Sequence, residues 1–226
     1  MAAQKSKPAA HKSPAQKPRA ASEAEPQLSF EGLEGWLKWL KQNHAKSGPV
    51  WLRLAKKGAA PSITYSEAIE GALIWGWIDS QKAALDDTAW LQRFSRRTPK
   101  SPWSKINREK AEALIAAKRL AAPGSAAVEQ AKADGRWERA YPGARTIEVP
   151  EDFARALAKA PKAKRFFEAL DAANRFAILY RLHSLKTAKG RENALVRFVE
   201  MCSRGETIHP TRAKPRRNAK AKPTER

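Results

Sequence analysis

Three stretches of the chain combine residue types that could bind or transform a ligand. The densest runs from Arg96 to Arg108 and places five cations, Arg96, Arg97, Lys100, Lys105 and Arg108, around Ser101-Pro102-Trp103-Ser104 and Asn107. Arginine forks suit bidentate contacts with phosphate or carboxylate. Ser101 as cap with Pro102 in the first turn predicts a helix start there, whose free amides would add to an anion site. The competing reading is a solvated linker anchored by Trp103. The second stretch is Trp75-Gly76-Trp77-Ile78-Asp79-Ser80. It reads as packing, with a glycine that lets helix and strand meet, or as a pocket mouth carrying Asp79. The third is Asp134-Gly135-Arg136-Trp137-Glu138-Arg139-Ala140-Tyr141-Pro142. Gly135 is a helix C-cap candidate, and Trp137 and Tyr141 either plug a seam or form a stacking platform beside Arg136.

Established catalytic signatures are absent from the sequence. There is no P-loop, dinucleotide glycine fingerprint, nucleophile elbow or zincin histidine pair. His11, His44, His183 and His209 have no metal-ligand spacing, so neither a metal nor a cofactor is implied. Asp86-Asp87 reads as a turn. Cys202 is the single cysteine and shares an apolar helical stripe, which predicts a buried, inert thiol.

The elements that must position these residues follow from apolar spacing. A helix is predicted from Glu31 to about Lys46, a strand over Val50–Ala55, and a helix after the capping box Thr64-Tyr65-Ser66-Glu67. A hairpin follows over 76–95. Beyond Ser101 the patterns are helical: one helix to about Leu120, a turn at Pro123-Gly124, and a short helix from Ser125 to Gly135. After an irregular stretch over 136–148, helices follow Pro150, Pro161 and Asp171, and a last one covers roughly 190–204. The predicted class is α+β: a small antiparallel sheet with helices over 29–100, then an all-helical half over 101–206. Residues 1–28 and 207–226 read as disordered basic tails, since they hold few apolar residues larger than Ala.

The chain has 226 residues and a formal net charge of +21. Residues 30–206 hold 32 basic and 20 acidic side chains, so about 12 of those charges belong to the part predicted to fold. One cysteine excludes an intramolecular disulfide, and no apolar run is long enough to cross a bilayer. With no apolar stretch behind the basic N-terminus, a cytoplasmic location is the expectation. The charge implies an anionic partner: a small anion, an acidic protein surface or nucleic acid.

These motifs resemble the bacterial YdeI/OmpD-associated family. The resemblance rests on Trp36-Leu37 to His44, Val50-Trp51-Leu52 with Lys56-Lys57, Trp75-Gly76-Trp77-Ile78-Asp79, Arg97, Ser101-Pro102-Trp103-Ser104, Asn107, Asp134-Gly135-Arg136-Trp137 and Ala140-Tyr141. It runs from about Phe30 to Gly205. From about Val149 to Gly205 the chain is similar to the helical module described as bacteriocin-protection, YdeI or OmpD-associated. That module usually carries a Thr-Arg pair and a second Arg three residues later; here Gly190-Arg191 and Ala194 occupy those places, so Arg191 alone is retained. The resemblance implies protection against bacteriocins or envelope stress, association with a porin, and no catalytic activity, cofactor or assigned active site.

Three functions are compatible with these features. The first is a non-enzymatic binding protein that holds an anionic group through Asp79, Arg96, Arg97, Trp103, Asn107, Arg136, Trp137 and Tyr141. The second is sequence-independent nucleic-acid binding through Lys100, Lys105, Arg108 and the tail residues Arg216, Arg217, Lys220 and Lys222. The third is an enzyme acting on an acidic metabolite in an arginine- and tryptophan-lined pocket.

Overall fold

The computed structural model describes residues 25–59 and 61–210. Arg216, Arg217, Lys220, Lys222 and most of both basic tails lie outside the described residues. The fold is α+β, as the sequence predicts. Its described residues divide into two compact units: those up to Ala72 with Trp77–Arg96, and Leu73–Gly76 with those from Arg97 onward.

The first unit is built on a four-stranded sheet. Its elements are β1 (Gln27–Leu28), α1 (Leu33–Asn43), β2 (Val50–Ala55), α2 (Tyr65–Ile74, whose last two residues belong to the second unit), β3 (Trp77–Ala84) and β4 (Ala89–Arg96). The strand order is β1-β2-β4-β3. Val50, Leu52 and Leu54 alternate inward along β2, which pairs antiparallel with β4 in the register Leu52↔Gln92. The sheet is mixed rather than purely antiparallel, because Gln27 and Leu28 pair parallel with Trp51 and Leu52. Regular structure therefore begins before Ser29. Glu25 holds that end through a two-pronged contact with Arg93, at 2.7 and 2.6 Å. A partner 68 residues away leaves no local pattern in the sequence.

Trp36 of α1 is fully buried and packs edge-on to Trp77 (6.1 Å between centroids) and tilted to Phe94 (5.8 Å). Its indole N–H donates to the Ala68 carbonyl at 3.1 Å, so the ring is both buried and satisfied. The capping box forms: Glu67 accepts from the Thr64 amide at 2.8 Å, and the Glu67 amide donates to the Thr64 hydroxyl at 3.2 Å. Asp86 closes the β3–β4 turn by accepting from the amides of Thr88 and Ala89.

The second unit holds α3 (Lys105–Ala116), α4 (Ala122–Ala133), α5 (Glu151–Ala158), α6 (Pro161–Ala169), α7 (Ala172–His183) and α8 (Ala188–Ser203). Phe153, Phe167, Ile178, Leu182, Phe198 and Cys202 form the core of its last four helices. Each large side chain buried there contributes roughly 1.5–3 kcal/mol. Asp171 caps α7 by accepting from the Asn174 amide at 2.7 Å.

Two helix starts differ from the sequence reading. Pro123-Gly124 is not a turn: both residues lie in the first turn of α4. The reason is a close backbone approach. A Cβ on Gly124 would stand 2.3 Å from the Ile74 carbonyl oxygen, and one on Gly76 (φ +70°) 2.6 Å from that of Pro123. Glycine at both places lets the end of α2 touch the start of α4. The second difference is that α3 begins at Lys105, with Ser104 and not Ser101 as its cap. Ser101 is occupied otherwise, its hydroxyl accepting from the Thr98 amide at 2.9 Å. Trp103 and Ser104 stay extended because they pair with Tyr141: the Tyr141 amide donates to Trp103 at 2.9 Å, and the Lys105 amide to Tyr141 at 2.8 Å.

Candidate functional site

That short bridge fixes the candidate site of the second unit. It brings the 99–103 segment beside the 136–141 loop. Trp103 is 2% exposed, with the Arg97 guanidinium over its ring at 3.6 Å and Trp137 edge-on at 4.9 Å. Arg97 also donates to the Pro102 carbonyl at 3.1 Å. Such a desolvated cation–aromatic contact is worth about 1–2 kcal/mol. The Trp103 indole nitrogen is buried and meets no acceptor among the described residues.

Arg136 is fixed from both sides. It donates to the Ser101 carbonyl at 2.8 Å and forms an ion pair with Asp134 at 2.8 Å. The hydrogen bond from Arg136 holds the Asp134 carboxyl below the usual carboxylate range. Gly135, in the left-handed conformation (φ +71°), turns the chain out of α4 and into this loop. Arg139 donates back to the Asp134 carbonyl at 2.9 Å. The loop is thus pinned, and its two arginines are held three residues apart.

A cleft of about 590 Å³ opens against these groups, completed by the C-terminal end of α7. Lys100, Arg136, Arg139, His183 and Lys186 supply its polar wall, and Trp103, Tyr141 and Tyr180 its aromatic wall. Tyr141 and Tyr180 meet edge-to-face at 4.7 Å. Among the described residues, no aspartate or glutamate lines the cleft. A volume of that size suits a small organic ligand. A basic wall with no carboxylate favours an anionic group on it.

The sequence-predicted residues divide among distinct places. Trp103, Arg136, Tyr141 and Lys100 line the cleft. Arg97 and Trp137 brace Trp103 and are not part of the lining. Asn107 gives its amide to the Ser104 cap at 3.1 Å. Arg108 donates to the Trp137 carbonyl at 3.3 Å and pairs with Glu112. Lys105 lines a second cleft, of about 560 Å³. Asp79 and Arg96 belong to the first unit. Asp79 lies where β3 shifts register against β4 and accepts from the Tyr65 hydroxyl at 2.7 Å. Arg96 donates to the Ala45 carbonyl at 3.0 Å, beyond the end of α1.

Sequence reasoning missed Arg139, Tyr180, His183 and Lys186. A signal was present: Arg136 and Arg139, like Tyr180 and His183, are three residues apart and so can share a face of a turn or helix. Nothing local linked either pair to Trp103.

The retained Arg191 has a different role from an open anion site. It donates to Asp152 at 2.5 and 2.9 Å and to the Leu182 carbonyl at 2.9 Å, tying α8 to α5 and to the end of α7. The hydrogen bond from Arg191 holds the Asp152 carboxyl below its ordinary range.

Comparison with known proteins gives two matches, the first of which spans the boundary between the two units. Residues 28–127 match the model of a domain of unknown function (DUF8412), and residues 146–205 that of the domain described as bacteriocin-protection, YdeI or OmpD-associated. No curated protein and no solved structure matches the chain. Helices α5 to α8, with the Asp152–Arg191 pair that ties them, fall within the second match, so residues 146–205 form a domain of the YdeI/OmpD-associated type.

Proposed function

We propose that the protein is a non-enzymatic binding protein that captures an anionic ligand in the cleft of its second unit. The reading places it in the cytoplasm, in the bacteriocin protection that the family's description names or a related envelope stress response. One observation carries it: five basic side chains and three aromatic rings line one cleft that, among the described residues, has no carboxylate in its wall. The aromatic groups favour a ligand with a flat apolar part beside its charge. Arg136 acts as a pre-oriented donor, since its contacts with Asp134 and Ser101 fix the guanidinium before any ligand arrives.

The test is a thermal-shift and calorimetric titration with sulfate, citrate and pyrophosphate at matched ionic strength. It compares the full chain with the double variant Lys100→Glu, Lys186→Glu. Both lysines are exposed, so the variant keeps its fold. A ligand at about a hundred times its Kd stabilises the native state by about 2.7 kcal/mol. The reading predicts a rise in Tm that the double variant loses. It fails if no anion raises the Tm of the full chain, or if the variant responds equally. It also fails if the only anion bound is an oligonucleotide, with steep salt dependence and equal affinity for the variant.

A further inference from the structure

His183 ends α7 and takes part in two walls at once. It lines the cleft described above and also the second one, whose other lining groups include Lys105 of α3, Arg191 of α8, and Glu148 and Glu151 at the entry to α5. On the first side the charged groups that share the cleft wall with it are Lys100, Arg136, Arg139 and Lys186, with the phenols of Tyr141 and Tyr180. The positive groups outnumber the two glutamates. Arg191 is partly neutralised by Asp152 behind it, and Arg136 by Asp134. The carbonyl end of α7 favours a cation at His183, yet Arg191 already donates to one of those carbonyls, at Leu182. With no anion bound, then, adding a proton to the ring means adding a charge among groups that are mostly of the same sign.

An entering anion changes that balance. Its negative charge offsets the surrounding cations, and a protonated imidazole gives the anion one more N–H donor. We propose that His183 is a proton-gated binding residue of this cleft: an anion seated beside Arg139 and Lys186 is captured with uptake of one proton on the imidazole, so capture tightens as the pH falls. The proton comes from solvent and returns to it on release. The inference rests on the anion-binding reading and adds to it the residue that makes binding pH-dependent. Loss of hydration at the ring, and then the charges of Lys105 and Arg191, lower the pKa of His183 below the ordinary histidine value, although the residue as a whole is exposed. Binding and protonation are reciprocal: whatever the anion does to the affinity for the proton, the proton does to the affinity for the anion.

The experiment is an NMR pH titration of the His183 ring proton in the full chain, with and without sulfate at matched ionic strength. His183→Gln assigns the resonance and serves as the control. Sulfate keeps its charge across the range used, from about pH 8 to about pH 5, where histidine is the side chain that ordinarily titrates. The expected result is a midpoint below the ordinary histidine value that moves upward with sulfate. Alongside it, sulfate affinity should strengthen about fivefold across the range in the wild type and hardly at all in His183→Gln; full coupling to one proton would give at most about tenfold per pH unit. If sulfate binds through Lys100 and Lys186 but leaves the midpoint unmoved, or if His183→Gln keeps the pH dependence, the inference is overturned while the anion-binding reading stands. If sulfate neither shifts any resonance nor raises Tm, both fall together.

Discussion

Replacing Arg191 with Ala removes three contacts in one step, two to Asp152 and one to the Leu182 carbonyl. The two charged side chains keep 31% and 29% of their surface exposed, so the pair is neither buried nor free in water. Exposed pairs are worth about 0–1 kcal/mol and charge-assisted hydrogen bonds in protected sites about 1.5–3 kcal/mol. The bidentate geometry and partial exposure place the loss for Arg191→Ala at about 2 kcal/mol, and its coupling to Asp152→Ala at about 1 kcal/mol. The assay is urea unfolding of the wild type, both single variants and the double variant, followed by circular dichroism. The pH dependence has a definite sign. The hydrogen bond from Arg191 depresses the folded-state pKa of Asp152, so the stabilisation is complete above the unfolded Asp value, near about 3.9. It is lost as the pH falls through the depressed folded value. Coupling should therefore be equal at about pH 7 and about pH 5 and should shrink only below about pH 4. A coupling of zero at neutral pH, or one that persists unchanged in acid, would refute the assignment of Arg191 as the tie between α5, α7 and α8.

Other consequences follow from the same geometry. Gly124→Ala and Gly76→Ala each drive a Cβ into a carbonyl oxygen, at 2.3 and 2.6 Å, and should each cost about 2–3 kcal/mol in chemical unfolding. Trp103→Ala should cost about 3–5 kcal/mol, because the ring is buried between Arg97 and Trp137. Arg97→Ala, which removes one face of that contact, should cost about 1–2 kcal/mol in the same measurement. The Cys202 thiol, raised in pKa by burial, should resist a thiol-reactive dye in the native protein and react only at the rate of unfolding. Asp79→Asn should leave anion binding unchanged in the calorimetric titration, because Asp79 belongs to the first unit and the Tyr65 hydroxyl occupies its carboxylate.

Much of the fold was legible because its signals are local. The inward alternation of Val50, Leu52 and Leu54, the Thr64–Glu67 box, and the caps at Gly135 and Asp171 each depend on residues within a turn or a strand of one another. What escaped depends on distance in sequence. β1 exists because β2 offers it an edge, and Arg93 is set opposite Glu25 across 68 residues. Ser101-Pro102 carries a sound helix-start signal, but pairing of Trp103 and Ser104 with Tyr141 overrides it. The site shows the same division. Tryptophans and arginines flagged by their density prove to be partly lining and partly bracing. His183 and Lys186, unremarkable in sequence, reach the cleft because α7 ends there.

The measurement that bears most directly on this account is chemical-shift mapping of the isotope-labelled full chain titrated with sulfate at constant ionic strength. The account predicts the largest changes at the Trp103 indole and at Arg136, Arg139, Tyr141, His183 and Lys186, saturating together. It is contradicted by changes that centre on the first unit around Asp79 and Arg96, or that spread evenly over the exposed lysines.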